Sequence, residues 1–261
     1  IIILNFKLHF NLMIPKFQKY EHKIRKYKEK LKKFVMKIGI SYSEDFELVD
    51  DTLKKLILPC HIGVLFYGEF DEKLFTQIEH YLNEVYDSFF FEIRNLGQFS
   101  FPKELYSKGV KTEYKELRRT NDKLNIHPTN KFYQVLIDKR MKENLGLIIL
   151  LTDLPIYSSS DDTILFLFGE THLKHRCSVV STLKLKEQFY YRQNNNHLFH
   201  ERIIKEFCHE IGHILLGSDH CEESSCVMRF SNNIEEIDKK SYNLCKNCKI
   251  KLGKIRQEFN F

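Results

Sequence analysis

Apolar residues recur along this chain with two periods, and the stretches where each holds predict its elements. Ile62 to Tyr67 reads as a strand ended by Gly68. Leu74, Phe75, Ile78, Tyr81, Leu82 and Val85 mark one face of a helix, and Phe89 to Ile93 a second strand. Pro102 to His127 is polar and weakly periodic, and reads as a long irregular connection. Phe132 to Met141 is a second helix, closed by a turn at Gly146. Leu147 to Leu151 is an unbroken apolar run of strand length, the pattern of a strand buried on both faces. Ile164 to Phe168 and Cys177 to Leu185 are further strands, and Gln193 to His200 is a polar loop. Strands alternating with helices predict an α/β sandwich around a mostly parallel sheet.

Ahead of this pattern, Phe17, Tyr20, Ile24, Tyr27, Leu31, Phe34 and Ile38 step by three and four, a heptad stripe on one helix. The same segment is strongly basic: Lys16 to Lys37 holds ten Lys or Arg and two Glu, a net +8. The whole chain is only +6, so the basic character belongs to this helix and the remainder is −2. Such a helix packs on its own domain with a solvated basic face, pairs with a partner helix, or lies on an anionic surface. No nucleic-acid-binding motif accompanies it. Ser41 to Asp51 is acidic and irregular and reads as a connection. No apolar stretch approaches the ~20 residues of a spanning helix, and the apolar run at the start is too broken for a signal peptide. The chain reads as soluble and intracellular, cytoplasmic or nuclear.

The chemistry concentrates near residue 210. Ile203, Ile204, Phe207, Ile211, Ile214 and Leu215 give an amphipathic helix that carries His209-Glu210-Ile211-Gly212-His213. Residues four apart on a helix share a face, so His209 and His213 can offer two imidazoles to one metal ion. Glu210 is placed to act on a water held by that metal without binding the metal itself. Zinc suits such ligands. The motif alone also fits a buried helix that carries these residues by chance. Gly217 can end the helix, and Ser218-Asp219-His220-Cys221 follows.

Seven cysteines do not form a disulfide framework. Cys221, Cys226, Cys245 and Cys248 have the spacing C-x4-C-x18-C-x2-C, a closed zinc-thiolate site. Cys60, Cys177 and Cys208 are scattered and read as small buried hydrophobes. Free thiolates point to a reducing compartment.

The pairing of that helix with a four-cysteine site resembles the archaemetzincin family of zinc metallopeptidases. The likeness runs from about Cys60 to Cys248. It takes in Gly146-Leu147 through Thr152-Asp153, Phe168-Gly169-Glu170, and Arg176-x-x-Val179-Val180-Ser181. Pro155 stands where the family's loop usually has Asp, and Lys184-Leu185 where Arg-Leu is commoner. The resemblance implies a metzincin-like α/β sandwich with a twisted mixed sheet whose strand nearest the cleft is antiparallel. It implies a catalytic zinc on His209, His213 and His220, Glu210 as general base, and a structural zinc on the four cysteines, two ions per chain. Met228, in Cys226-Val227-Met228, would be the Met-turn residue that packs beneath the catalytic zinc. It further implies peptide-bond hydrolysis, with a peptide or unfolded polypeptide as substrate and Cys177 to Leu185 as the strand that pairs with it. Residues 60–261 would then be the catalytic domain and 1–59 an N-terminal extension.

One departure bears on the ligands. The family pattern is H-E-x-x-H-x-x-G-x-x-H, and here an extra residue precedes Gly217. Counted from His213, the third ligand is Asp219; counted from Gly217 or Cys221, it is His220. An altered spacing also leaves room for a different function, a zinc-stabilised interaction protein with weak or no catalysis whose basic helix recruits a partner.

Overall fold

The computed structural model describes residues 39–41, 56–114, 123–161 and 167–261. The basic heptad segment, most of the acidic connection and residues 164–166 of the expected strand Ile164 to Phe168 lie outside them. Residues 39–261 group as one unit.

Among the described residues, six strands form one sheet: β1 (Ile40–Ser41), β2 (Cys60–Tyr67), β3 (Phe90–Gln98), β6 (Leu147–Thr152), β8 (Gly169–His172) and β9 (Cys177–Ser181). Their order is β1-β8-β9-β6-β2-β3. Only the β8–β9 pair is antiparallel; the other four pairs are parallel. This is the mixed, mostly parallel sheet that the sequence predicts. β6 lies between β2 and β9 and all six of its residues are buried, which explains its unbroken apolar sequence.

Helices cover the sheet. α1 (Glu72–Val85) starts at Asp71, whose side chain accepts the Lys73 N–H, and buries Leu74, Ile78, Leu82 and Val85. The polar stretch after β3 is more ordered than its sequence suggests. It holds a short helix α2 (Lys103–Ser107) and the antiparallel pair β4 (Lys111–Tyr114) and β5 (Lys123–Pro128). β5 also pairs in parallel with β7 (Ile156–Tyr157). α3 (Asn130–Lys142) buries Phe132, Tyr133, Leu136 and Ile137.

Several boundaries differ from expectation: β3 runs on to Gln98, five residues past Ile93. β9 stops at Ser181, because Leu183–Leu185 turns into a 3-10 helix that buries Leu185 by another route. The long helix α4 (Asn196–Leu216) begins inside the expected polar loop, where the Asn195 side chain accepts the Leu198 N–H and caps it. α4 then buries Ile203, Ile204, Phe207, Ile211 and Leu215 against the core shared with β2, β6 and α1. Burying each such side chain contributes about 1.5–3 kcal/mol, which fixes the helix's rotation. After it come α5 (Ile234–Lys239) and α6 (Lys246–Phe259).

Candidate metal and catalytic site

The rotation of α4 that buries its apolar face also buries His209, Glu210 and His213, all at 5% exposure or less. Their polar atoms must therefore find partners within the protein. His209 Nδ1 lies 2.7 Å from the Val227 carbonyl, and His213 Nδ1 lies 3.0 Å from the Gly217 carbonyl. A carbonyl only accepts, so each imidazole carries its proton on Nδ1 and turns an Nε2 lone pair inward. Burial holds both rings neutral, with His213 lowered to about 4 and His209 well below its ordinary value.

The extra residue before Gly217 is absorbed by the helix, which runs on through Leu216. Gly217 caps it at φ +96°, its N–H returning to the His213 carbonyl. That φ is one that side chains with a Cβ resist. The chain past the glycine brings His220 back beside the helix, while Asp219 is exposed. His213 Nε2 is 3.0 Å from His209 Nε2 and 3.2 Å from His220 Nε2. His209, His213 and His220 form one cluster of potential ligand atoms; Asp219 and Glu210 are not in it. Converging unprotonated nitrogens repel unless a cation lies between them. Tetrahedral zinc with bonds of about 2.0–2.1 Å sets its ligand nitrogens about 3.3 Å apart, so the donor set fits that ion.

Cys221, Cys226, Cys245 and Cys248 converge likewise. Cys221 Sγ and Cys245 Sγ are 3.6 Å apart, close to the about 3.8 Å of two thiolates on one zinc. Burial raises the Cys245 thiol, but hydrogen bonds from the Cys248 backbone and neighbouring thiols outweigh it and bring it to about 7. Burial pushes Cys226 up to about 11. The two clusters are joined through the backbone. Cys221 N–H donates to the Met228 carbonyl at 2.8 Å, and Val227, whose carbonyl holds His209, donates its N–H to Asn243 at 2.9 Å. Met228 is 1% exposed and packs on Gly212, where a Cβ would overlap its Sδ. The three other cysteines, Cys60, Cys177 and Cys208, are buried and belong to neither cluster, and burial raises each thiol.

Glu210 points toward the sheet. Its Oε2 accepts from Thr171 Oγ1 at 2.5 Å, and burial raises its carboxyl well above the usual range. Thr171 has no sequence signal of its own; it sits between the Phe168-Gly169-Glu170 and Arg176–Ser181 blocks. A second buried pair was equally invisible. Lys240 Nζ lies 2.7 Å from Glu206 Oε1, tying the segment between the cysteine pairs to α4.

Sequence expectation placed the cleft strand at Cys177 to Leu185. That is corrected by the topology: β9 is flanked by β6 on one side and β8 on the other. The antiparallel strand is β8, which pairs with β9 on one side and, at Thr171 and His172, with β1 on the other.

The fold is similar to that of solved archaemetzincin structures. The archaemetzincin of Methanopyrus kandleri aligns with 80% of this chain and 99% of its own at a TM-score of 0.54 and 24% identity. A zinc-dependent peptidase from Methanocorpusculum labreanum aligns with 73% of this chain and 99% of its own at 0.55 and 23%. The sequence makes the assignment specific: residues 60–254 match the profile of peptidase family M54, and the chain belongs to that family. Among curated relatives, the archaemetzincin of Saccharolobus solfataricus is 42% identical over 90 residues, 34% of this chain and 48% of its own. That of Methanocaldococcus jannaschii is 37% identical over 121 residues, 46% and 65%. The chain thus spans about half to two thirds of the length of these relatives. Among the described residues, no helix is long and apolar enough to cross a membrane.

Proposed function

We propose that this protein is a zinc-dependent metallopeptidase that hydrolyses peptide bonds, with Glu210 as general base. The observation that carries the reading is the convergence of three Nε2 atoms, two of them with Nδ1 fixed on a backbone carbonyl, beside a buried carboxylate outside their cluster. His209, His213 and His220 would hold the catalytic ion, and the four cysteines a structural one. Bound zinc supplies a Lewis acid and makes a water acidic enough to attack at neutral pH. Glu210, unlike the histidines, is free to take the proton of the attacking water and deliver it to the leaving amine. Met228 gives the site a packed floor. The substrate class is a peptide or unfolded polypeptide in extended form. Residues 60–261 are the catalytic domain in this reading, with β1 contributed from the extension. The net +8 of residues 16–37 suits that extension to an anionic surface or a partner helix.

The test is Glu210→Gln, assayed with a pool of quenched-fluorescent peptides and by zinc content. Activity should fall by about 10³-fold or more, with metal content and thermal midpoint unchanged. A Gln variant that cleaves at wild-type rate would remove Glu210 from the base's role. A wild-type, zinc-loaded protein that cleaves nothing in the pool would favour the interaction-protein reading.

A further inference from the structure

The strand that faces Glu210 is built around its carboxylate. On an antiparallel pair, residues two apart on a strand share a face, and so do residues directly opposite. Gly169 and Thr171 are two apart on β8, and Ser178 of β9 is directly opposite Thr171. All three turn toward α4. Thr171 Oγ1 lies 2.5 Å from Glu210 Oε2, 3.2 Å from the Glu210 carbonyl and 2.7 Å from Ser178 Oγ. A hydroxyl has one proton to give. The short contact to a carboxylate oxygen claims the Thr171 proton, as charge-assisted bonds do. Ser178 then donates to Thr171 Oγ1, and the two hydroxyls form a series that ends on Oε2. The other oxygen, Oε1, lies where a side chain at position 169 would begin, so a Cβ there would overlap it. Thr171, Ser178 and Glu210 are at most 2% exposed and Gly169 is buried, so water does not compete for these contacts.

We infer that Thr171, backed by Ser178 and given room by Gly169, is the positioning residue for Glu210. It holds the carboxylate on the sheet side of α4, out of the three-histidine cluster, so that Glu210 does not become a further metal ligand. The inference rests on the reading of Glu210 as general base. Glu210 follows His209 directly in sequence, yet its carboxylate stands outside the cluster of potential ligand atoms. A purely structural role for the hydroxyl would not need the strand to lack a side chain at the facing position.

The test uses the full chain loaded with zinc. Thr171→Val keeps the shape and strand preference and removes the hydroxyl; Thr171→Ser keeps the hydroxyl. Two readouts are taken: the position of the Glu210 carboxylate in a crystal structure of each variant, and kcat and KM on a cleaved quenched-fluorescent peptide. In Thr171→Val the carboxylate should leave its place over Gly169. Its kcat should fall about 10- to 100-fold, the usual effect of losing an outer-shell partner, with KM within about threefold. Thr171→Ser should restore both position and kcat. A Val variant whose carboxylate stays put overturns the inference whatever its activity. So does a displaced carboxylate with unchanged kcat while Glu210→Gln is inactive. An active Glu210→Gln instead overturns the general-base reading, and the catalytic claim for Thr171 falls with it. If Thr171→Val does not fold, Ser178→Ala takes its place. Removal of the backing donor should lower kcat in the same direction by less, and unchanged kcat with Glu210 in place overturns the relay.

Discussion

Replacing Glu206 with Gln should destabilise the protein sharply, although Glu206 touches neither metal cluster. Its carboxylate sits 2.7 Å from Lys240 Nζ, and the two side chains are 5% and 1% exposed. Lys240 follows α5, between the second and third cysteines, and also donates to the Arg229 carbonyl at 3.4 Å. The pair therefore pins the thiolate segment to α4 one turn before His209. Neutralising Glu206 strands a buried ammonium, and breaking a buried pair from one side costs about 3–5 kcal/mol. A domain of this size loses about 2–4 °C of thermal midpoint per kcal/mol, so the midpoint should drop by about 6–20 °C. Lys240→Met should cost a similar amount by stranding the carboxylate. The double variant Glu206→Leu with Lys240→Met should melt closer to wild type than either single variant, because it leaves no charge unpaired. Calorimetry on the four zinc-loaded proteins decides it. Single variants within 2 °C of wild type, or a double variant that loses the sum of the two, would refute the reasoning.

Cys248→Ser should act on folding before activity. Structural zinc contributes roughly 10–16 kcal/mol in small peptides, against a total domain stability of about 5–15 kcal/mol; an unchanged midpoint with full zinc content would contradict this. Acid should destabilise the fold through His127 and His175, which lie outside both metal clusters and which burial lowers to about 4. The unfolded chain binds these protons near pH 6.5 and the folded one only near 4, so stability is complete above about 6.5 and is lost as pH falls toward 4. The loss is at most about 3 kcal/mol for each histidine. A midpoint flat from pH 7 to 4.5 would exclude it. Truncation to residues 39–261 keeps β1 and both metal clusters, so zinc content should persist while binding to anionic vesicles falls. Vesicle co-sedimentation that is equal with and without residues 1–38 would remove the basic segment from that role.

The helix α4 was legible because its apolar residues repeat at helical spacing and its histidines share that frame. β6 was legible because a strand covered on both faces has no polar positions to disguise it. The β4–β5 pair was missed, since it stands apart from the main sheet and its residues up to Asn125 bury little. β8 was missed for the opposite reason. Gly169-Glu170-Thr171-His172 is fully buried yet has no strongly apolar residue. Its polar groups are met by partners far along the chain: Tyr133 and Ser158 for Glu170, Glu210 for Thr171. No local pattern encodes such pairings. The choice between Asp219 and His220 was ambiguous for a related reason, because spacing cannot say whether an inserted residue lengthens the helix or displaces the loop. In the structure it lengthens the helix, and His220 meets His213.

The measurement that bears most directly on the two-site account is zinc stoichiometry by native mass spectrometry for wild type, His220→Ala and Asp219→Ala. The account predicts two ions in wild type and in Asp219→Ala, and a single ion, held by the four cysteines, in His220→Ala. One ion in wild type that survives in His220→Ala, or an Asp219→Ala protein that loses an ion while His220→Ala keeps both, would contradict it.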